Sequence, residues 1–269
     1  MTDLTILIKR KKTWIILLAE TIIISIISVL LFSSRNPSYY GSKISLCYMY
    51  NRNTVALIYA LYVISPLFAT IVYTDIDEYE GTYRYQLLTK KGNKRVIINK
   101  YFTVFISGRM NTLFVFELFF IYQCMAIKPT SFFTTDGFSF ITYLYPEHDT
   151  VLLHDYIIHN PELFPHLLFL SVSVFAGVCG CLSYSLSKVT DNSVVSYIGG
   201  FIIPFIISFV LGIFQGKSQI LAYYNLFQII TDTSRASVIF NIFGFVGWII
   251  FIFMLCFIFE LVHNRRDLL

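Results

Sequence analysis

From Thr13 to Phe32 the chain reads TWIILLAETIIISIISVLLF, twenty positions interrupted by one charge, Glu20. Such a run lacks the two-residue alternation of a half-buried strand and the one-sided stripe of a helix lying on a soluble core. It is apolar on every side. Five further runs of this kind follow, and the six are expected as transmembrane helices at 13–32, 54–74, 101–127, 165–187, 194–214 and 237–262. At about 1.5 Å per residue each can cross a hydrocarbon layer of about 30 Å, and the long third run is expected to tilt. A transmembrane β-barrel is excluded: its strands alternate apolar and polar residues, whereas IIISIISVLLF and VGWIIFIFMLCFIF do not alternate at all. The expectation is an all-α integral membrane protein with six spans in a single permease-like membrane domain, 1–269.

Composition agrees with the pattern. Only 13% of the 269 residues are Asp, Glu, Lys or Arg, about half the share found in soluble domains, and a soluble fold has too little charge here to cover 56% hydrophobic residues. The placement of Lys and Arg sets the orientation. With the N-terminus inside, thirteen bases fall on inner segments and six on outer ones, with Arg109 inside a span. Both termini are therefore expected in the cytoplasm. The net charge of +4 reports this topology and gives no reason to expect a nucleic-acid partner. The opening MTDLTILIKRKKTW could pass for a secretory signal, but the apolar run after it is long and no small-residue cleavage site follows, so it is expected to be retained as span one. Leu4, Ile6, Leu7 and Ile8 ahead of the basic cluster fit either a short helix in the inner interface or an unstructured tail. Of the five cysteines, Cys179, Cys181 and Cys256 lie in spans, Cys124 lies near the end of one, and Cys47 alone is expected outside, so no outer disulfide can form within one chain.

Several motifs invite chemistry and fail on spacing. In GIFQGKSQ the glycines Gly212 and Gly216 have three residues between them where a phosphate-binding loop needs four, and the stretch follows a span on the outer side. His148, His154, His159 and His166 fall in the long outer segment, but the five-residue interval from His154 to His159 is not the helical spacing of a zinc pair, and polar residues on a wet loop are the plainer reading. No HExxH, GxSG or paired-glutamate motif falls in a span. The chain is expected to carry no catalytic site, no metal and no nucleotide of its own.

Charges within spans are costly and normally face the bundle interior. Glu20 in span one and Arg109 in span three fall at similar depth and are expected to pair; Glu117 lies eight residues beyond Arg109 on nearly the same face. Glu260, at the inner end of span six, is expected to snorkel or to meet Arg265. Gly199-Gly200 with Pro204, and Ala176 with Gly177 and Gly180, are expected at close helix contacts.

The charge that the spans lack gathers in one segment, residues 75–100, DIDEYEGTYRYQLLTKKGNKRVIINK. Acids lead and bases follow, so 76–91 reads as a short polar helix, with Gly92-Asn93 as a turn and Lys94-Arg95 meeting the membrane surface. Tyr83, Tyr85, Leu87 and Leu88 add apolar atoms suited to a groove on another protein.

Glu80-Gly81-Thr82, Leu87-Leu88-Thr89, and then Lys94-Arg95, Ile97 and Lys100 resemble the segment between spans two and three of ABC-2 type transporter permeases. The basic N-terminus, the six spans, the inner termini and the partly apolar outer segment between spans five and six extend the likeness over the whole chain. KKGNKR departs from the proline-containing turn common in that family. The resemblance implies that 75–100 is a coupling segment docking on a separate cytosolic ABC ATPase. Glu80, Gly81 and Thr82 would bend and seat it, Leu87 and Leu88 would enter the ATPase cleft, and Lys94 and Arg95 would anchor it at headgroups. It also implies two ATPase subunits that supply ATP and Mg²⁺, a second permease copy or paralogue, and export across a bacterial cell membrane. Family members of this size often export bacteriocin-like peptides or confer immunity to them. The aromatic, apolar spans point to lipid contact and to an amphipathic or lipid-like cargo such as a peptide, antibiotic or lipid. The alternative is a membrane-bound sensor that recruits a soluble partner through 75–100 without transport.

Overall fold

The computed structural model describes residues 8–9, 11–33, 93–126, 164–190, 193–214 and 242–266, and these are helical throughout apart from Thr190, with no strand among them. Five long helices result: α1 (Lys11–Ser33), α2 (Asn93–Ala126), α3 (Phe164–Val189), α4 (Ser193–Phe214) and α5 (Ile242–Arg266). They fall on the expected spans one, three, four, five and six. The expected span at 54–74 and most of 75–100 lie outside the described residues. Two of the helices, α2 over 97–122 and α5 over 246–263, are long and apolar enough to cross a membrane, and shorter apolar stretches lie at 13–26 and 173–189.

Helix α3 is the hub. It packs against α2, α4 and α5, while α1 packs against α2. From Phe175 to Leu186 every residue of α3 is buried, as a helix apolar on all sides requires. Its serines are reconciled with this interior through the backbone: Ser183 donates to the Cys179 carbonyl and Ser185 to the Cys181 carbonyl. Around them Val178, Cys179, Cys181, Leu182, Trp248 and Ile252 form the core. The three cysteines expected as small buried hydrophobes are buried free thiols.

Side-chain contacts fix the direction of each helix. Along α2 and α3, Tyr101 meets Ser185, Gly108 meets Gly177 and Glu117 meets His166, so the two run antiparallel. The last turn of α3 is closed by Thr190, whose N–H and hydroxyl both donate to the Leu186 carbonyl at 2.9 and 2.8 Å. Ser193, a residue type favoured at helix starts, then opens α4, which returns antiparallel with Gly200 against Ser183. Phe175 against Trp248 and Lys188 against Glu260 show α5 running parallel to α3. Glu20 with Asn111 and Ser25 with Tyr122 show α1 running parallel to α2.

Glycine lets the helices approach this closely. A Cβ on Gly177 would stand 2.7 Å from the Phe105 carbonyl oxygen, and one on Gly200 would stand 2.7 Å from the Ser183 backbone nitrogen. Gly177 and Gly200 are thus packing positions, as expected, and α4 continues through Pro204 as one helix. Gly108 faces Gly177 from α2, a contact for which a lone glycine gives no signal in the sequence.

Candidate functional site

One end of the bundle collects the starts of α1, α2 and α4 and the ends of α3 and α5. Lys11, Lys94, Arg95, Lys188, Arg265 and Arg266 all lie on helix turns at this end, whereas the opposite helix ends, 29–33, 121–126, 164–170, 210–214 and 242–248, carry no Lys or Arg.

At the basic end three helices are tied by one polar cluster. Lys188 of α3 forms an ion pair with Glu260 of α5, their side chains only 10% and 15% exposed. The Tyr101 hydroxyl of α2 donates to the same carboxylate oxygen at 2.5 Å and lies 2.7 Å from Ser185 Oγ. The Lys188 ammonium also faces the rings of Tyr101 and Tyr184, at 5.1 and 4.7 Å from their centroids. Glu260 thus turns its carboxylate inward to Lys188 and Tyr101 rather than snorkelling, and the Arg265 side chain lies outside the described ones. The signal available in the sequence was a Lys and a Glu at the matching ends of the expected spans four and six.

The cluster stands two turns from the start of α2, where the structure departs from expectation. Where a span from Tyr101 is expected, one unbroken helix runs from Asn93 to Ala126, while Gly92 of the expected turn lies outside the described residues. Asn is a favoured helix-start residue, and Val96, Ile97 and Ile98 continue the apolar pattern behind it, so the helix begins eight residues early. Lys94 and Arg95 sit in its first turn, and Lys100, expected on an inner segment, is 3% exposed. The other expected coupling residues, Glu80, Gly81, Thr82, Leu87 and Leu88, lie outside the described residues.

The expected intramembrane charges are placed differently from their predicted pairing. Glu20 takes a hydrogen bond from Asn111 Nδ2 at 3.0 Å and makes no pair with Arg109. The reason is helical: Arg109 and Asn111 are two residues apart, about 200° around α2 at 3.6 residues per turn, so only one of them can face α1. Arg109 is half-buried. Glu117 holds His166 Nδ1 at 2.8 and 3.0 Å through its two oxygens, with the Phe120 ring edge-on to the imidazole. The other three outer histidines lie outside the described residues.

This second pair is half-open, with His166 and Glu117 side chains 44% and 32% exposed. A typical intramolecular hydrogen bond contributes about 0.5–1.5 kcal/mol, so His166→Phe is expected to change thermal stability in detergent by no more than about 1.5 kcal/mol. A loss several times larger would show that the pair holds α2 and α3 together.

No protein-family model, curated protein or solved structure matches the chain.

Proposed function

We propose that the chain is the membrane subunit of an ABC-2 type exporter, embedded in a bacterial cell membrane by six spans with both termini in the cytoplasm. The observation that carries this reading is the path of α2. The charged segment with its E-G-T and leucine-pair motifs enters a helix that begins at Asn93 and runs unbroken for 34 residues, and that helix is tied to α3 and α5 by the Tyr101–Glu260–Lys188 cluster close to its start. A push delivered at the start of α2 would reach three helices together, since α2 is unbroken from Asn93 and the cluster joins it to α3 and α5.

Three further features support it. The one-sided placement of bases agrees with an inner face at the 11, 93, 189, 193 and 266 ends. Because α1 and α2 run parallel, the chain that leaves α1 at one end of the bundle begins α2 at the other, a crossing that a span at 54–74 would accomplish. Ile250, Phe253, Met254 and Phe257 of α5 are all well exposed, a surface that suits lipid.

In this reading two cytosolic ATPase subunits hold ATP and Mg²⁺ and dock on 75–100 through Leu87 and Leu88. A second copy of the chain or a similar permease completes the path, and the cargo is amphipathic or lipid-like. The chain itself performs no hydrolysis. Proteoliposomes holding the chain with its co-purified partner should show vanadate-sensitive ATP hydrolysis. A bound soluble partner without such activity would replace the exporter with a sensor that recruits its partner and transports nothing.

A further inference from the structure

Glu20 lies nine residues into α1, about 14 Å from its first residue at about 1.5 Å per residue. It is 5% exposed. Its Oε1 accepts one hydrogen bond, from Asn111 Nδ2 at 3.0 Å, and its Oε2 is buried with no hydrogen-bond partner. On α2, the helix packed against α1, the charged residues along this stretch are Lys100, Arg109 and Glu117, and the phenols are Tyr101, which donates to Glu260, and Tyr122, which pairs with Ser25. Lys100 is eleven residues from Asn111, about 16 Å along the axis. Arg109 projects from the opposite flank of the helix, and Glu117 is held by His166. On α1 itself the nearest charges are Lys11 and Lys12 at the basic end.

The carboxyl therefore meets a single neutral donor and, among the described residues, no cation. An ionised carboxylate so placed would lack both the water and the counter-charge that stabilise it. We propose that Glu20 and Asn111 form a proton-binding site inside the α1–α2 interface, with Glu20 carrying the proton as a neutral acid at neutral pH. Asn111 fixes one oxygen and leaves the other to take or give the proton. Release would yield the carboxylate and a free proton, and the new charge would have to be met by water or a cation entering between the helices. The inference rests on the membrane placement of α1 and α2 and not on coupling to an ATPase, so a chain that proves to have no ATPase partner leaves it standing.

The test is an infrared difference spectrum of the full chain in lipid nanodiscs, native minus Glu20→Gln, at pH 7. The expected result is the C=O stretching band of a protonated carboxylic acid, absent from Glu20→Gln and displaced in Asn111→Leu, which removes the donor. Carboxylate bands in its place would overturn the proposal. A second measurement needs no variant: a hydrophobic carbodiimide, which adds to protonated buried carboxyls, should modify the native chain at Glu20, and peptide mass spectrometry reads the position. Protection by sodium ions at constant pH would also overturn it, since the site would then belong to a monovalent cation.

Discussion

Gly177→Leu is expected to separate α3 from α2 and to cost about 3 kcal/mol or more, the upper end of the range for overpacked positions. Even a methyl group at this position would stand 2.7 Å from the Phe105 carbonyl oxygen and 2.8 Å from a carbon of its ring. The ring can turn away; the carbonyl belongs to the α2 backbone and moves only if the helix moves. Because α3 also carries α4 and α5, displacing it disturbs most of the bundle. Gly108→Ala is the informative comparison, since its Cβ would lie 3.3 Å from Gly177 Cα, a distance that a shift of a few tenths of an ångström relieves. Thermal unfolding in detergent should rank native above Gly108→Ala and Gly108→Ala well above Gly177→Leu. Equal stability of all three would mean that the helices do not cross at this point.

The second large effect is expected at Lys188 and Glu260. Removing one partner of a mostly buried ion pair leaves the other uncompensated, at about 3–5 kcal/mol. Lys188→Met leaves the carboxylate, among the described residues, with the Tyr101 hydroxyl. Glu260→Leu strands the ammonium between two aromatic rings. The double variant removes both charges and leaves the Tyr101 hydroxyl with Ser185 Oγ as its partner, and replacing a whole buried pair is often neutral. It should therefore recover most of the stability lost in either single variant. A double variant as unstable as the sum of the singles would show that each residue acts through other contacts.

How far the sequence alone led depends on which interaction decides each feature. The helices at 11–33, 164–189 and 193–214 were legible within two residues, because unbroken apolar runs bounded by charge or turn residues leave little choice of ends. The start of α2 was not. The span is expected only from Tyr101, yet the helix already begins at Asn93, because the apolar pattern resumes at Val96. Glu20 and Arg109 are expected to pair because they fall at similar depth, but depth does not fix azimuth, and about 200° around α2 gives the contact to Asn111 instead. Gly108 carried no signal by itself. A single glycine becomes a contact only through its counterpart on another helix, here Gly177, and helix pairing is a tertiary fact. The cluster at Tyr101, Lys188 and Glu260 likewise joins residues up to 159 positions apart.

The central claim is that work enters this chain through the segment before α2. The most direct measurement is affinity purification of the tagged full chain in mild detergent, followed by mass spectrometry of what accompanies it, for the native protein and for Leu87→Asp/Leu88→Asp. An ATPase bearing nucleotide-binding motifs should co-purify with the native chain and be lost from the double variant, while the variant still reaches the membrane at normal levels. A native chain that brings down no ATPase, or an ATPase retained undiminished by the double variant, would contradict the account.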